Sequence, residues 1–411
     1  MKKSKHPGSD PGPTCPGSDP GQTPFLDFSL LFMPQKKFSL SYGRQWIGND
    51  DIKAVLQVLK SDWLTQGPKV AEFEKALADY CGAKYAVVFS SGTAALHGAY
   101  FVLGAQKGDE IITTPLTFAA TANAVVYCNA TPVFADVLAH TLNIDPQQIE
   151  KKITPKTKAI AIVDFAGQPC DFDAIKRIAK NHNLIIVEDA SHALGSEYKK
   201  KKVGCLADLT VFSFHPVKNI TTGEGGAVLT NKKEWYEKLK TFRHHGIVKK
   251  PLAGSWYYEI ETLGYNYRLT DIQCALGLSQ LKKIKKFIAR RREIVKKYQE
   301  GFGDIPAITL IKEEHFAQSA WHIYPLQFDL AKLKISRKEI FEKLAEQGIK
   351  CQVHYLPVHL HSFYQKNFGY KKGDFPIAER YYQQAITLPL FPKMTNQEVE
   401  YVIKAVKKII S

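Results

Sequence analysis

Between Tyr85 and Leu229 the chain repeats one pattern: a short run of β-branched and aromatic residues, then a helix-length amphipathic stretch. The runs are Tyr85–Phe89, Glu110–Thr113, Thr131–Phe134, Ala159–Val163, Leu184–Val187, Leu209–Phe212 and Gly226–Leu229. Helix-like segments such as Thr93–Leu103, Thr117–Tyr127 and Phe172–Asn181 lie between them. Strands that are apolar on both faces and joined by helices must be covered on both sides. The pattern therefore predicts an α/β fold built on a mainly parallel sheet of about seven strands.

The flanks read differently. Pro-Gly-Ser-Asp-Pro-Gly occurs at 7–12 and again at 16–21. Such Gly/Pro density builds no packed element, so residues 1–37 are expected to form a disordered low-complexity extension. Asn49–Leu59 is expected to be a helix with Ile52, Val55, Leu56 and Leu59 on one stripe, and Val70–Cys81 a second helix. Residues 271–302 read as one long linking helix, broken at Gly303-Asp304-Ile305-Pro306. Ala320–Phe328 reads as a strand, and Ser336-x-x-Glu339 and Thr395-x-x-Glu398 as capping boxes opening two helices. The expected organisation is a large domain over 38–285 with an N-terminal arm, and a small α+β domain over 286–411.

Charge and cysteine usage bound the function. The formal net charge is +16, and nine of the 56 basic residues lie between Lys282 and Lys297, with Glu293 the one acid there. Such a run reads first as a solvated helix face; an anionic ligand or a nucleic acid is the alternative. The seven cysteines are odd in number, scattered and without a Cys-x-x-Cys pair, as expected of free thiols in a reducing compartment. No run of about 18 purely apolar residues exists. A cytoplasmic protein that does not enter the membrane is expected.

In open parallel sheets, ligands collect beyond the carboxyl ends of the strands. Ser90-Ser91-Gly92-Thr93 follows the first run and opens a helix, offering hydroxyls, backbone N–H groups and the positive end of a helix dipole to a phosphate. Glu188-Asp189 follows the fifth run, where a carboxylate can hold a cationic ring nitrogen. Ser213-Phe214-His215-Pro216-Val217-Lys218 follows the sixth, with Gly223-Glu224-Gly225-Gly226 behind it. A lysine between two buried strands is unusual, and a desolvated lysine becomes a nucleophile toward carbonyls. Taken singly, each feature has an ordinary structural explanation. Taken together, they are the parts needed to hold pyridoxal phosphate.

These segments resemble the DegT/DnrJ/StrS family of nucleotide-sugar aminotransferases, as do Leu64-Thr65-Gln66-Gly67, Thr117-Phe118, Gly264-Tyr265-Asn266-Tyr267-Arg268 and Trp321-His322-Ile323-Tyr324-Pro325. The resemblance runs from Phe38 to the C-terminus. It implies a fold type I, aspartate aminotransferase-like architecture: a large domain with the seven-stranded sheet plus a small C-terminal α+β domain. By the same resemblance, Lys218 would hold pyridoxal 5′-phosphate and carry the catalytic proton. Asp189 would meet the pyridine nitrogen; Ser91, Gly92, Thr93 and Ser213 would take the phosphate; Phe118 would stack on the ring, with His192 beside it. Asn266 would reach the phosphate from a partner subunit of a homodimer with shared active sites. Tyr42, Asp62, Trp63, Leu64 and Thr65, with Val353, His354, Tyr355 and Leu356, would face the sugar nucleotide.

His-Pro-Val-Lys at 215–218, Ser191-His192 and Val353-His354-Tyr355 are similar to the branch serving pseudaminic acid synthesis. That branch implies L-glutamate as amino donor and C4 of a UDP-4-keto-6-deoxy-N-acetylhexosamine as acceptor. Another keto-sugar nucleotide, of the perosamine or 4-amino-arabinose type, is the alternative. A dehydratase of the family would carry histidine where Lys218 stands. The rival from another class is a non-catalytic nucleic-acid-binding regulator using the basic run. No metal site is expected, because His244-His245 and His359-x-His361 lack the accompanying ligands.

Overall fold

The computed structural model describes residues 39–411, so the expected extension over 1–37, with Cys15, lies outside the described residues. All seven β-rich runs enter one sheet: β1 (Tyr85–Phe89), β2 (Glu110–Thr113), β3 (Thr131–Phe134), β4 (Thr157–Val163), β5 (Ile185–Asp189), β6 (Leu209–Ser213) and β7 (Gly226–Thr230). Their order across the sheet is β1-β7-β6-β5-β4-β2-β3. β7 runs antiparallel to both neighbours, and the remaining pairs are parallel.

Pleating sends alternate residues to opposite faces. Ala86 and Val88 of β1 join a core with Phe73, Leu77, Phe172 and Ile175, while Val87 and Phe89 join another with Leu96, Tyr100 and Leu239. The chain's helices include α1 (Asn49–Leu59), α2 (Pro68–Cys81), α3 (Gly92–Val102), α4 (Ala120–Tyr127), α5 (Phe172–Asn181), α6 (Asp271–Leu281) and α7 (Ile284–Phe302); α2 to α7 and the helix Lys233–Phe242, which carries Leu239, supply residues to the cores. A second, antiparallel sheet joins β8 (Ile308–Thr309), β9 (Tyr324–Phe328) and β10 (Ala385–Leu388). α8 (Arg337–Glu346) and α9 (Asn396–Ile410) pack with it, and both expected capping boxes close. The six described cysteines are free, and no helix among the described residues is long and apolar enough to cross a membrane.

Three expectations need correction. The helix expected over 271–302 is two helices, broken at Lys282-Lys283. There Lys283 N–H turns to Gln280 O at 3.0 Å, while its ammonium is drawn to Asp50 and Asp51 at 2.7 and 2.5 Å. The strand expected over 320–328 begins only at Tyr324. Trp321 sits at φ +47°, and Ala320 and His322 N–H groups bond Gly167 O and Ala166 O instead of a ladder. The helix expected over 49–59 forms as read, and its apolar stripe lies at the surface: Ile52 is 56%, Leu56 46% and Leu59 54% exposed. The basic run is not simply a solvated face either. Lys283, Arg290, Arg291 and Arg292 are spent on internal carboxylates and carbonyls.

Candidate active site

The carboxyl ends of β1, β5 and β6 open into a cavity of about 750 Å³. α3 begins at its floor. Ser91 is the N-cap, its Oγ accepting from Ala94 N–H at 3.1 Å. The amides of Gly92 and Thr93 have no carbonyl within the helix to bond, as in any first turn. Glycine at 92 is a packing requirement: a Cβ there would lie 2.9 Å from Ser213 Cβ. Without one, the Ser213 hydroxyl and the helix start converge on one small anion-binding cup.

Asp189 closes β5 and is 5% exposed. Its Oδ2 accepts from Thr121 Oγ1 at 2.7 Å and its Oδ1 from Ser191 N–H at 3.2 Å; Thr121 Oγ1 in turn lies 2.7 Å from Thr117 Oγ1. No cation pairs with Asp189 among the described residues. Lys218 reaches in from the loop after β6. Burial pushes its amine down to about 8, with the Asp189 carboxylate pulling the other way. Its Nζ lies 3.5 Å from His322 Nε2.

Four more imidazole and phenol groups complete the walls. His192 Nε2 is 3.1 Å from Tyr355 OH, and His354 Nδ1 is 2.9 Å from Thr387 Oγ1. Tyr42 packs its ring on His354 at 5.2 Å. Burial first, then the Lys218 charge, drives His192 well below the ordinary histidine range and His354 down to about 3. The histidines therefore enter as neutral hydrogen-bonding groups. Phe118 stands at the rim, 61% exposed, 6.1 Å from the Tyr355 ring, and Val353 lines the same side.

Not every expected residue is in this cavity. Asp62, Trp63, Leu64, Thr65 and Asn266 are exposed elsewhere, and Leu356 lies outside the lining. The first five share one neighbourhood. Thr65 bridges Thr270, and Asp271 accepts from Gly67 and Lys69 N–H at 2.7 and 2.9 Å. Tyr265 and Tyr267 stack at 4.8 Å and both pack on buried His97, which leaves Asn266 between them on the outer side. Arg268 donates to His244 Nδ1 at 2.8 Å. His359 bonds Glu379 at 2.9 Å. Conversely, Thr121, His322 and Gln352 are residues that strand-end reasoning did not supply. The Trp-His pair at 321–322 was visible as a motif, but its turn back to the sheet was not.

The site stands beside known proteins as follows. Residues 45–407 match the DegT/DnrJ/EryC1/StrS aminotransferase family. The chain belongs to this family. An uncharacterised protein, MJ1066, of Methanocaldococcus jannaschii is 48% identical over 90% of the chain and 97% of its own length. The spore coat polysaccharide biosynthesis protein SpsC of Bacillus subtilis is 45% identical over 90% and 97%. The UDP-4-amino-4,6-dideoxy-N-acetyl-beta-L-altrosamine transaminase of Campylobacter jejuni is 43% identical over 88% and 95%. Among solved structures, Helicobacter pylori PseC, an aminotransferase of pseudaminic acid biosynthesis, is 40% identical with a TM-score of 0.87 over 91% of this chain and 99% of its own. A Streptococcus pneumoniae sugar aminotransferase in its PLP form is 33% identical with a TM-score of 0.85 over 91% and 100%.

This family member is a sugar aminotransferase dependent on pyridoxal 5′-phosphate, and its cavity fits that cofactor. The Asp189 carboxylate, the Lys218 amine and the cup formed by Ser213 and the start of α3 face one space, and among the described residues neither the carboxylate nor the amine is in an ion pair. Bound there, the cofactor supplies an aldehyde and an electron-accepting ring. The chain's part is positioning and proton movement. Lys218 would hold the cofactor and move a proton at its Nζ, and an amine held near 8 is partly unprotonated at neutral pH. Thr121 and Ser191 keep the Asp189 carboxylate fixed where a ring nitrogen would be held protonated. Gly92, Thr93 and Ser213 would hold the phosphate.

Proposed function

We propose that the chain transfers an amino group from L-glutamate to C4 of a UDP-4-keto-6-deoxy-N-acetylhexosamine, the step that serves pseudaminic acid synthesis. The observation that carries this reading is the meeting of Tyr42, His192, His354 and Tyr355 above Lys218. These groups are neutral, polar and flat, and suit a deoxy sugar with an acetamido group better than a charged acceptor. Relatives named altrosamine transaminases support it at 41% to 43% identity. The test is incubation of the cofactor-loaded protein with L-glutamate and UDP-2-acetamido-2,6-dideoxy-β-L-arabino-hex-4-ulose. Mass spectrometry should find the 4-amino sugar and 2-oxoglutarate in equal amounts. The keto group unchanged, with turnover on a perosamine-type or 4-amino-arabinose-type substrate, would defeat the sugar assignment.

A second reading has its own support. The 45% identity to SpsC favours a different polysaccharide amino sugar, and the same substrate panel decides between them.

The reading includes a cytoplasmic homodimer with shared sites, and a large and a small domain joined near residue 285. Asp62 to Thr65 and Asn266 are exposed, Trp63 among them, and exposed Ile52, Leu56 and Leu59 precede Asp62 in sequence. A second copy would bury the apolar side chains and receive Asn266 at its own cup. Mixing inactive Lys218→Ala chains with weakened Asn266→Ala chains should recover activity as subunits exchange. Simple addition of the two residual rates would argue for unshared sites.

A further inference from the structure

We propose that Gln352 is a specificity-determining residue of this aminotransferase: its side-chain NH2 donates to the carbonyl of an acetamido group on the acceptor sugar. This assignment rests on the acetamido sugar proposed above and names the group that would recognise it.

The backbone fixes which end of the amide is free. Gln352 Oε1 accepts from Val353 N–H at 2.9 Å. A backbone N–H meets an oxygen and not an NH2, so this contact sets the orientation of the amide. It leaves Nε2 with two hydrogens and, among the described residues, no hydrogen-bond partner. Gln352 is exposed and lines the cavity, so those hydrogens are open to a ligand.

No other uncharged side chain of the wall has this character. The rest of the uncharged polar lining consists of hydroxyls and imidazoles, which both donate and accept. His192 and Tyr355 are also paired with each other, and His354 with Thr387. The Gln352 NH2 only donates. A sugar hydroxyl could be met by any hydroxyl or imidazole of the wall. A carbonyl oxygen only accepts, and a group that only donates matches it. Phosphates draw arginine, lysine or a helix start rather than a neutral amide. On the sugar itself the C4 ketone is the group that reacts, which leaves the acetamido oxygen as the carbonyl to be recognised.

The amide also stands on supported backbone. Gln352 N–H donates to Thr387 O at 3.2 Å, and Gln352 O accepts from Thr387 N–H at 2.7 Å, which stitches the segment to β10. Two residues on, Tyr381 OH donates to His354 O at 2.7 Å. Gln352 and His354 thus reach the cavity from one anchored stretch, and a group held this way keeps its aim. Only C3 separates the acetamido-bearing C2 from C4. Whatever recognises the acetamido group must therefore share one cavity with Lys218, as Gln352 does.

A ligand pair tests this independently of turnover. UDP-N-acetylglucosamine and UDP-glucose differ only at C2, where one carries an acetamido group and the other a hydroxyl. Calorimetric titration of the full-length, cofactor-loaded parent should show the acetamido nucleotide binding roughly tenfold tighter, the upper size of one neutral hydrogen bond. Gln352→Leu should bring the two within about twofold of each other. Gln352→Glu keeps an acceptor for Val353 N–H but turns a second acceptor to the ligand. It should reverse the preference, because the C2 hydroxyl of UDP-glucose can donate to it. The ratio cancels any change that a variant makes to diphosphate or uridine binding. A Leu variant that weakens both nucleotides equally would keep the ratio, assign the amide to a group they share, and overturn the proposal. A parent without the preference would overturn it too. Turnover of the keto sugar decides the sugar assignment separately. A parent that turns it over without a Gln352-dependent preference keeps that assignment and loses this one. A parent with the preference but no turnover keeps Gln352 as the acetamido donor and loses the assigned sugar.

Discussion

Glu188 and Asp189 are adjacent at the end of β5 and both are buried, yet the pleat turns them to opposite sides of the sheet. Asp189 looks into the cavity with a hydrogen-bond donor on each oxygen. Glu188 looks into the opposite core, where it meets Asp164 at the end of β4. Thr210 Oγ1 donates to Glu188 Oε2 at 2.6 Å and Cys170 N–H to Asp164 Oδ1 at 3.0 Å, but Glu188 Oε1 and Asp164 Oδ2 have no donor besides each other. Two carboxyls facing in a dry core must share a proton. Burial, reinforced by Glu188, holds Asp164 well above the usual carboxylate range, and burial pushes Glu188 up to about 7. The difference teaches how to read a buried acid. One with donors on both oxygens and open space beside it is positioned to meet a ligand. One with a second acid and no space is kept protonated as structure.

The largest effect should come from removing the amine that the cavity side serves. Lys218→Ala should lose covalent cofactor and lower turnover by more than roughly 10³-fold, measured by absorbance and steady-state assay. Retained transamination would end the assignment of Lys218. Next comes the adjacent pair itself. Asp189→Asn keeps an acceptor for Thr121 but removes the charge, and kcat should fall roughly 10²-fold. Glu188→Gln should leave kcat within about threefold. Equal losses in the two variants would erase the distinction between the two sides of β5.

The structural side should announce itself through pH. A carboxyl whose folded pKa is raised contributes stability that is fully present below its unfolded value, about 4.3 for Glu. That contribution is lost as pH rises through the folded value, about 7 for Glu188, and Asp164 extends the loss to higher pH. Thermal denaturation should therefore show parent stability declining between pH 5 and pH 8, by an amount on the order of a few kcal/mol. Glu188→Gln, permanently neutral, should flatten that decline. A parallel decline in the variant would mean the shared proton is absent.

These contrasts also mark how far the sequence could be read. The seven strands were legible because β-branched runs and helix-length connections repeat, and Ser91, Asp189, Ser213 and Lys218 were legible because they stand where those strands end. Residues defined by tertiary meeting were not. Thr121 lies on α4 and acts on a residue 68 positions away, and His322 reaches Lys218 across 104 positions. Arg291 looked like one more charge on a basic face, because a periodic pattern does not say that three carbonyls will converge on one guanidinium. The α1 stripe shows a further limit: apolar spacing at the helical period does not say whether a face is covered, and Ile52, Leu56 and Leu59 are exposed.

The smallest effect expected concerns the support beneath Asp189. Thr121→Val keeps the shape of the side chain but removes the hydroxyl that donates to Asp189 Oδ2 at 2.7 Å and faces Thr117 at the same distance. The carboxylate stays in place, held by Ser191 N–H, and its charge stays available to a ring nitrogen. What is lost is one charge-assisted hydrogen bond, so the carboxylate is less well fixed before the cofactor arrives. The cofactor dissociation constant should rise about tenfold, because one such bond is worth about 1.5–3 kcal/mol and part of it returns as the ligand orders the site. With cofactor saturating, kcat should stay near that of the parent. A fall in kcat as large as that of Asp189→Asn would mean that Thr121 does more than hold the carboxylate, and that the proton balance at the ring extends through Thr121 to Thr117.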